Sequence, residues 1–171
     1  LESKKNKMKA SGEEININLN KEDVKVSGLG SFLNLEDINM TSDGNIKLNN
    51  SEGSFSVIGP NSYLDSNDIN IEGNNIKGLF SKDKEPREII ELIVEDKNIT
   101  NIKTSTFNMY ANKAIYNQKT SIIELFENVK VIRGNETITG DYGILDTAKN
   151  SYKIKSNNST KVKAIISNPD E

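Results

Sequence analysis

"FENVKVIRGNETITGD", residues 126–141, reads as a β-hairpin written in one line. Val129 and Val131 alternate with Lys130, Arg133-Gly134-Asn135 supplies a turn, and Thr137, Ile138 and Thr139 begin the return. Period-two alternation sends apolar side chains to one face of a sheet and polar ones to the other. The stretch carries no histidine, no cysteine and no evident catalytic pair.

The same pattern recurs outward in both directions. Ile15-Asn16-Ile17-Asn18-Leu19-Asn20 alternates strictly, and Ile69-Asn70-Ile71 and Tyr152-Lys153-Ile154-Lys155 repeat it. Helical spacing is scarce. Its one candidate is residues 85–95, where Pro86 suits a helix start. There Ile89, Ile90, Ile93 and Val94 are β-branched and Ile90, Leu92 and Val94 alternate, so a strand is expected. Turn signals such as Asp43-Gly44, Gly59-Pro60-Asn61, Gly73-Asn74 and Gly134 punctuate the chain. A spacing of roughly 8–12 residues between turns indicates an all-β sandwich, roll or barrel. Residues 81–87, charged and holding Pro86, read as an exposed loop dividing two halves.

Composition narrows the function classes. Only 34% of the 171 residues are hydrophobic, tryptophan is absent and aromatics are sparse. This is thin for a thick central core and suits a structure whose interior is a narrow strip. The net charge of −3 lacks the basic footprint of a nucleic-acid binder. The one basic run, Lys4, Lys5, Lys7 and Lys9, reads as a solvated tail or as the flank of a removed signal peptide or membrane anchor, since the chain starts at Leu1. No apolar run approaches the 18 or more residues of a spanning helix. Without cysteine there is no disulfide framework, and without histidine there is no serine–histidine or cysteine–histidine nucleophile system. Asp65, Asp68 and Glu72 are the nearest thing to paired acids, but Asp, Ser and Asn at this density are ordinary turn formers. The expectation is no enzymatic activity, no metal site and no cofactor.

An internal repeat ties these observations together. Ala111-Asn112-Lys113-Ala114-Ile115-Tyr116-Asn117 lines up with Gly140-Asp141-Tyr142-Gly143-Ile144-Leu145-Asp146, an offset of 29 residues, with a weaker copy at residues 57–65. A unit of about two strands cannot bury its apolar face alone, so successive copies must share one continuous interior. Uninterrupted alternation within the copies assigns Leu19, Val26, Val57, Met109, Ile115, Val129, Val131, Ile138 and Ile144 to that interior, and Asn112 and Asp141 to water. The small residues at Gly59, Ala111 and Gly140 face inward, leaving room for a neighbouring strand or a ligand, or else marking a tight bend. A long sheet with a one-sided apolar face suits an amphipath: a bound acyl chain gains about 0.8 kcal/mol per buried methylene.

Residues 111–117, the apolar run 122–125, Glu127-Asn128-Val129-Lys130-Val131, Gly134 and Gly140-Asp141 together resemble the OstA-like family of lipopolysaccharide transport proteins, whose periplasmic members are LptA and LptC. The family pattern runs Ala-Asp-x-Ala-x-Tyr-Asp, an apolar strand, Gly-Asn-Val-x-Val, a glycine turn and a further Ala/Gly-Asp strand. Glu127 stands where the family has glycine. Residues 161–166, "KVKAII", look like the closing strand of LptA. The resemblance implies an all-β fold, an elongated antiparallel β-jellyroll or twisted boat with an apolar interior groove. It also implies a periplasmic bridge that binds lipopolysaccharide acyl chains and joins head to tail with copies of itself or other Lpt proteins at both edge strands, with no nucleic acid involved. The joining edges are residues 14–20 and 162–167, with Ile15, Ile17, Val162 and Ile165 as the assembly positions.

The expected organisation is a flexible lysine-rich tail at residues 1–10, a single OstA-like domain at 11–167 and a tail at 168–171. The rival reading is a parallel β-helix of the polysaccharide-binding, lyase or adhesin type, for which the 29-residue offset is too long.

Overall fold

The 29-residue offset is the length of one trip across two β layers and back. In a computed structural model, which describes residues 2–3, 8–157 and 161–167, the chain forms one 17-stranded antiparallel sheet folded along its length into two facing layers. The N-terminal half is built from short strands: β1 (Glu2–Ser3), β2 (Met8–Ser11), β3 (Glu14–Asn18), β4 (Asp23–Ser27), β5 (Ser31–Leu35), β6 (Ile38–Ser42), β7 (Asn45–Asn49), β8 (Ser54–Ile58), β9 (Tyr63–Asp65), β10 (Asn70–Glu72) and β11 (Asn75–Phe80). The C-terminal half begins with four long strands, β12 (Ile89–Lys103), β13 (Asn108–Asn117), β14 (Ile122–Arg133) and β15 (Glu136–Asp146), and closes with β16 (Ser151–Lys155) and β17 (Lys163–Ile166).

Strand pairing defines the layers. In the first layer β3, β4, β7, β8 and β11 pair in that order, and β11 continues onto the leading half of β12. In the second layer β1, β2, β5, β6, β9 and β10 pair in that order, and β10 continues onto the trailing half of β12. The long strands β12–β15 then pair successively and each crosses from one layer to the other. β16 and β17 finish the two layers by pairing with opposite ends of β15. This is an all-β jellyroll. Every pairing is antiparallel, which removes the parallel β-helix. Residues 89–95 are strand, as their β-branched alternation predicts.

The fold line between layers is a row of corners. In the N-terminal half a tight connection breaks each crossing into two strands. Gly59 sits at one corner with φ +138°, and a Cβ there would lie 2.7 Å from Gly44 Cα, a distance that only glycine permits. Acidic and amide side chains cap these corners. The Gly30 N–H donates to Asp43 Oδ1 (2.9 Å), the Asn61 amide to Asp43 Oδ2 (2.6 Å), and the Asn74 N–H to Asp96 Oδ2 (2.9 Å). The Asn61 amide first, and the Gly30 N–H second, hold the Asp43 carboxyl below its usual range. The row continues in the C-terminal half, where the Asn128 amide donates to Asn112 Oδ1 (3.1 Å) and the Asn157 N–H to Asp141 Oδ2 (2.7 Å). Asn112 and Asp141, assigned to water by alternation, are therefore half-buried corner residues.

Between the layers lies one apolar core. Val26, Leu33, Met40, Ile46, Val57, Leu64, Ile76 and Val94 are fully buried, and Met109, Leu125 and Leu145 continue it into the C-terminal half. Burying a side chain of this size stabilises by about 1.5–3 kcal/mol. Met8 and Ala10 belong to this core as well, so residues 8–10 of the expected tail are strand instead. Lys4, Lys5, Lys7 and residues 168–171 lie outside the described residues.

Candidate functional site

The candidate site is the interior strip and the places where it meets solvent. Val26, Val57, Met109, Val129 and Val131 are at most 1% exposed within it. Ile138 faces the same way, because it stands opposite Val131, which in turn stands opposite Met109, and directly opposed residues share a face. Being near the last strand, Ile138 is only half-buried.

Three interior assignments are corrected. Leu19 is 85% exposed in the turn between β3 and β4, where alternation no longer applies. Ile115 and Ile144 lie on the outer face, on either side of Glu124 in one cross-strand row. The reason is a register shift at the fold line. β14 carries an extra residue there: Phe126 and Val129 are three apart, while their partners Tyr142 and Gly140 are two apart. Glu127 and Asn128 occupy the shift with φ of +61° and +52°. Across the fold line β14 takes four residues, Leu125 to Val129, and keeps its alternation, while β13 and β15 take three and switch theirs. Inward positions therefore run Met109, Ala111, Ala114, Tyr116 in β13, and Ile138, Gly140, Gly143, Leu145 in β15. Ala114 and Leu145 are at most 2% exposed. The two repeats switch face at the same place, so the 29-residue match carried one error into both. One signal was present: small Ala114 aligns with small Gly143.

The small positions are occupied by protein. A Cβ on Gly140 would lie 2.5 Å from Ile154 Cγ2 and 2.7 Å from the Lys155 carbonyl oxygen, so a neighbouring strand fills that space.

Opposite the row of corners, the hairpin turns of the two layers meet in a seam. Two small clefts lie along it. One of about 170 Å³ is lined by Asp37, Ser66, Arg87 and Glu88, and one of about 340 Å³ by Thr104, Phe107 and Thr147. Asp68, Ile69 and Tyr116 line both. Burial first, then the charges of Asp68 and Glu88, push the Tyr116 hydroxyl above its usual range. The loop 81–88 crosses the seam, where the Arg87 N–H donates to Glu36 Oε2 (2.7 Å).

The interior also meets solvent at its two ends. Among the described residues β3 pairs only with β4, and β16 and β17 only with β15, leaving edge strands at both ends. Ile15 packs against the core from β3, while Ile17 is 44% exposed beside it. Val162 precedes β17, and Ile165 within it stands opposite Thr137 with its side chain exposed.

The acids weighed as a catalytic or metal pair do not converge. Asp65 accepts from the Asn70 amide on the outer face of the second layer, while Asp68 sits in the seam. Among the described residues no group of three acidic side chains is placed to hold a metal ion, and no helix is long and apolar enough to cross a membrane.

Comparison with known proteins gives three findings. Residues 61–151 match the family described as LptA/(LptD N-terminal domain) LPS transport protein. That span reaches further upstream than the residues carrying the sequence resemblance, and stops before the closing strand. Among solved structures, LptH from Pseudomonas aeruginosa, the LptA homologous periplasmic component of the conserved lipopolysaccharide transport device, aligns over 98% of this chain and 100% of its own, with 10% identity and a TM-score of 0.39. No curated protein sequence matches. Since residues 61–151 make up more than half of the chain, it belongs to the family of LptA and LptD N-terminal domain lipopolysaccharide transport proteins.

Proposed function

We propose that this protein is an LptA-like periplasmic bridge that binds lipopolysaccharide by its acyl chains and passes it from the inner toward the outer membrane. The observation that carries the reading is a continuous apolar interior running the length of the sheet and ending, among the described residues, in edge strands at both ends. Acyl chains enter where the two layers part, beside interior residues such as Val131 and Ile138, while the saccharide stays in water. A chain of a dozen carbons enclosed there gains on the order of 10 kcal/mol. Only part of that is wanted in a carrier, whose cargo must leave again. The protein supplies no enzymatic activity in this role, takes no cofactor or metal and engages no nucleic acid.

The ends supply assembly. An edge strand has unpaired N–H and C=O groups along one side and accepts another strand by β-augmentation. β17 of one copy and β3 of the next, or of another family member, would join two interiors into one path. Light scattering of the wild type and of Ile165→Pro tests this. Proline removes a ladder donor from β17. The expected result is concentration-dependent association in the wild type and its loss in the variant, with the body still folded. A wild type that stays monomeric at high concentration and binds no family member removes the basis for a bridge.

A further inference from the structure

The outer face of the first layer carries a row of lysines with no structural role. Lys25 stands opposite Lys47, Lys47 opposite Ser56, Ser56 opposite Lys77, and Lys77 opposite Ile93. These residues alternate with buried Val24, Val26, Ile46 and Leu48, so they project away from the core. None of the three lysines makes an ion pair or side-chain hydrogen bond among the described residues, whereas Lys113, further along the same face, is held by Glu95 (2.5 Å). Like charges directly opposite one another on adjacent strands are destabilising. Lys25 against Lys47 is such a pair, in a chain whose net charge is −3.

The row lies in a shallow groove of about 960 Å³. Asparagines 16, 18 and 49, with Ser54, supply amide and hydroxyl groups along it, and Leu79 and Ile93 supply apolar surface. Asp23 and Glu91 line it as well, two residues along their strands from Lys25 and Ile93. At about 4.8 Å between strands, the backbone positions of the three lysines are set roughly 5 and 10 Å apart. A bare acyl chain has no use for three cations, and a compact anion has no use for a groove of this length. Anionic groups spaced along a polyhydroxylated chain match both.

We propose that this groove binds the phosphorylated saccharide of the cargo, with Lys25, Lys47 and Lys77 on the phosphates and the asparagine amides on sugar hydroxyls. The choice of cargo rests on the lipopolysaccharide reading above. The lip of the first layer, where its hairpin turns border the seam, is two residues from the lysine row, about 7 Å along a strand. A saccharide leaving the seam therefore folds over the lip onto this face while its acyl chains stay between the layers.

The test uses deacylated, still phosphorylated lipopolysaccharide saccharide as the probe, with intact lipopolysaccharide as a second arm, at low ionic strength. The wild type should bind the saccharide. Lys25→Gln/Lys47→Gln/Lys77→Gln should bind it at least tenfold more weakly, and the Lys→Arg triple should restore binding. Enzymatic removal of the phosphates should weaken wild-type binding to the same degree. The glutamine triple should melt no lower than the wild type, since it removes a like-charge pair. Equal saccharide binding by wild type and glutamine triple, or none by either while intact lipopolysaccharide still binds, overturns the site and leaves the interior reading standing. Sugar-free polyphosphate binding as tightly as the saccharide also overturns it. Failure of intact lipopolysaccharide to bind at all counts against the function reading instead.

Discussion

The two halves of this sheet solve the same problem by different means. Each must turn sharply from one layer to the other at every crossing. Residues 8–80 do so by breaking the strand, with glycine or an Asp/Asn-capped turn at the break. Residues 89–146 keep the strand continuous and bend it at register shifts, marked in β14 by two consecutive left-handed residues. The first solution places its constraint on backbone space, the second on residue count. A glycine corner tolerates a local change of length but not a side chain. A bulged strand tolerates side chains but not a change of length, because a one-residue slip turns every apolar side chain beyond it to the wrong face.

Deleting Asn128 attacks the second solution and has the largest expected effect. Without the extra residue β14 crosses in three residues on a backbone set for four, so that, short of taking up the step of β13 and β15, either Ile123 and Leu125 or Val129 and Val131 turn outward. Losing two such side chains from the core costs about 4 kcal/mol. Urea unfolding should show that loss or no cooperative transition. A deletion that leaves the midpoint unchanged would mean the shift does not set the inward face.

Gly59→Val attacks the first solution. It combines a left-handed φ with a collision at Gly44, so the expected loss is about 3 kcal/mol by thermal or urea unfolding. Near-neutral behaviour would show that the glycine corners yield.

Glu127→Gly sharpens the comparison in the opposite direction. A side chain at φ +61° is strained, and glycine relieves that strain at the cost of greater freedom in the unfolded chain. A net gain of about 0.5–1 kcal/mol is expected, visible as a higher urea midpoint, and a loss would show that the Glu127 side chain supports the bulge.

The halves also differ in their response to pH, the smallest effect. Asp43, at a glycine corner, has its carboxyl pKa lowered by the Asn61 amide and the Gly30 N–H. Its contribution is present above the ordinary carboxylate range and is lost as pH falls through the lowered folded value. Tyr142, in β15, donates to Glu124 Oε2 at 2.5 Å, and that bond pushes its hydroxyl up to about 12. Its contribution is present below pH 10 and is lost as pH rises toward 12. Asp43→Asn should flatten the acid limb of a stability–pH curve and Tyr142→Phe the alkaline limb. An unchanged limb in either variant removes that group from the account.

Much of the fold is legible in the residues because alternation is a local signal. Val24 and Val26, Leu33 and Leu35, and Ile46 and Leu48 are each two apart and all buried, and the turns between them announce themselves with glycine, asparagine and aspartate. The resemblance supplied the jellyroll and the lipopolysaccharide cargo. The face of residues after the bulge was not legible, because alternation has no memory across a register shift and Glu127 stands where glycine would mark one. Nor was the lysine row visible, since Lys25, Lys47 and Lys77 are far apart in sequence and meet only through the pairing of β4, β7, β8 and β11.

In the proposed function acyl cargo lies between the layers, on the face the register shift defines. Ile138 and Ile144 test it on one strand. They are six residues apart in β15, so unbroken alternation puts them on the same face, and the register shift puts them on opposite faces. A photo-crosslinking amino acid at each position, exposed to intact lipopolysaccharide, reads the difference. Strong labelling is expected at Ile138 and background at Ile144. Equal labelling at both, or labelling only at Ile144, would contradict it.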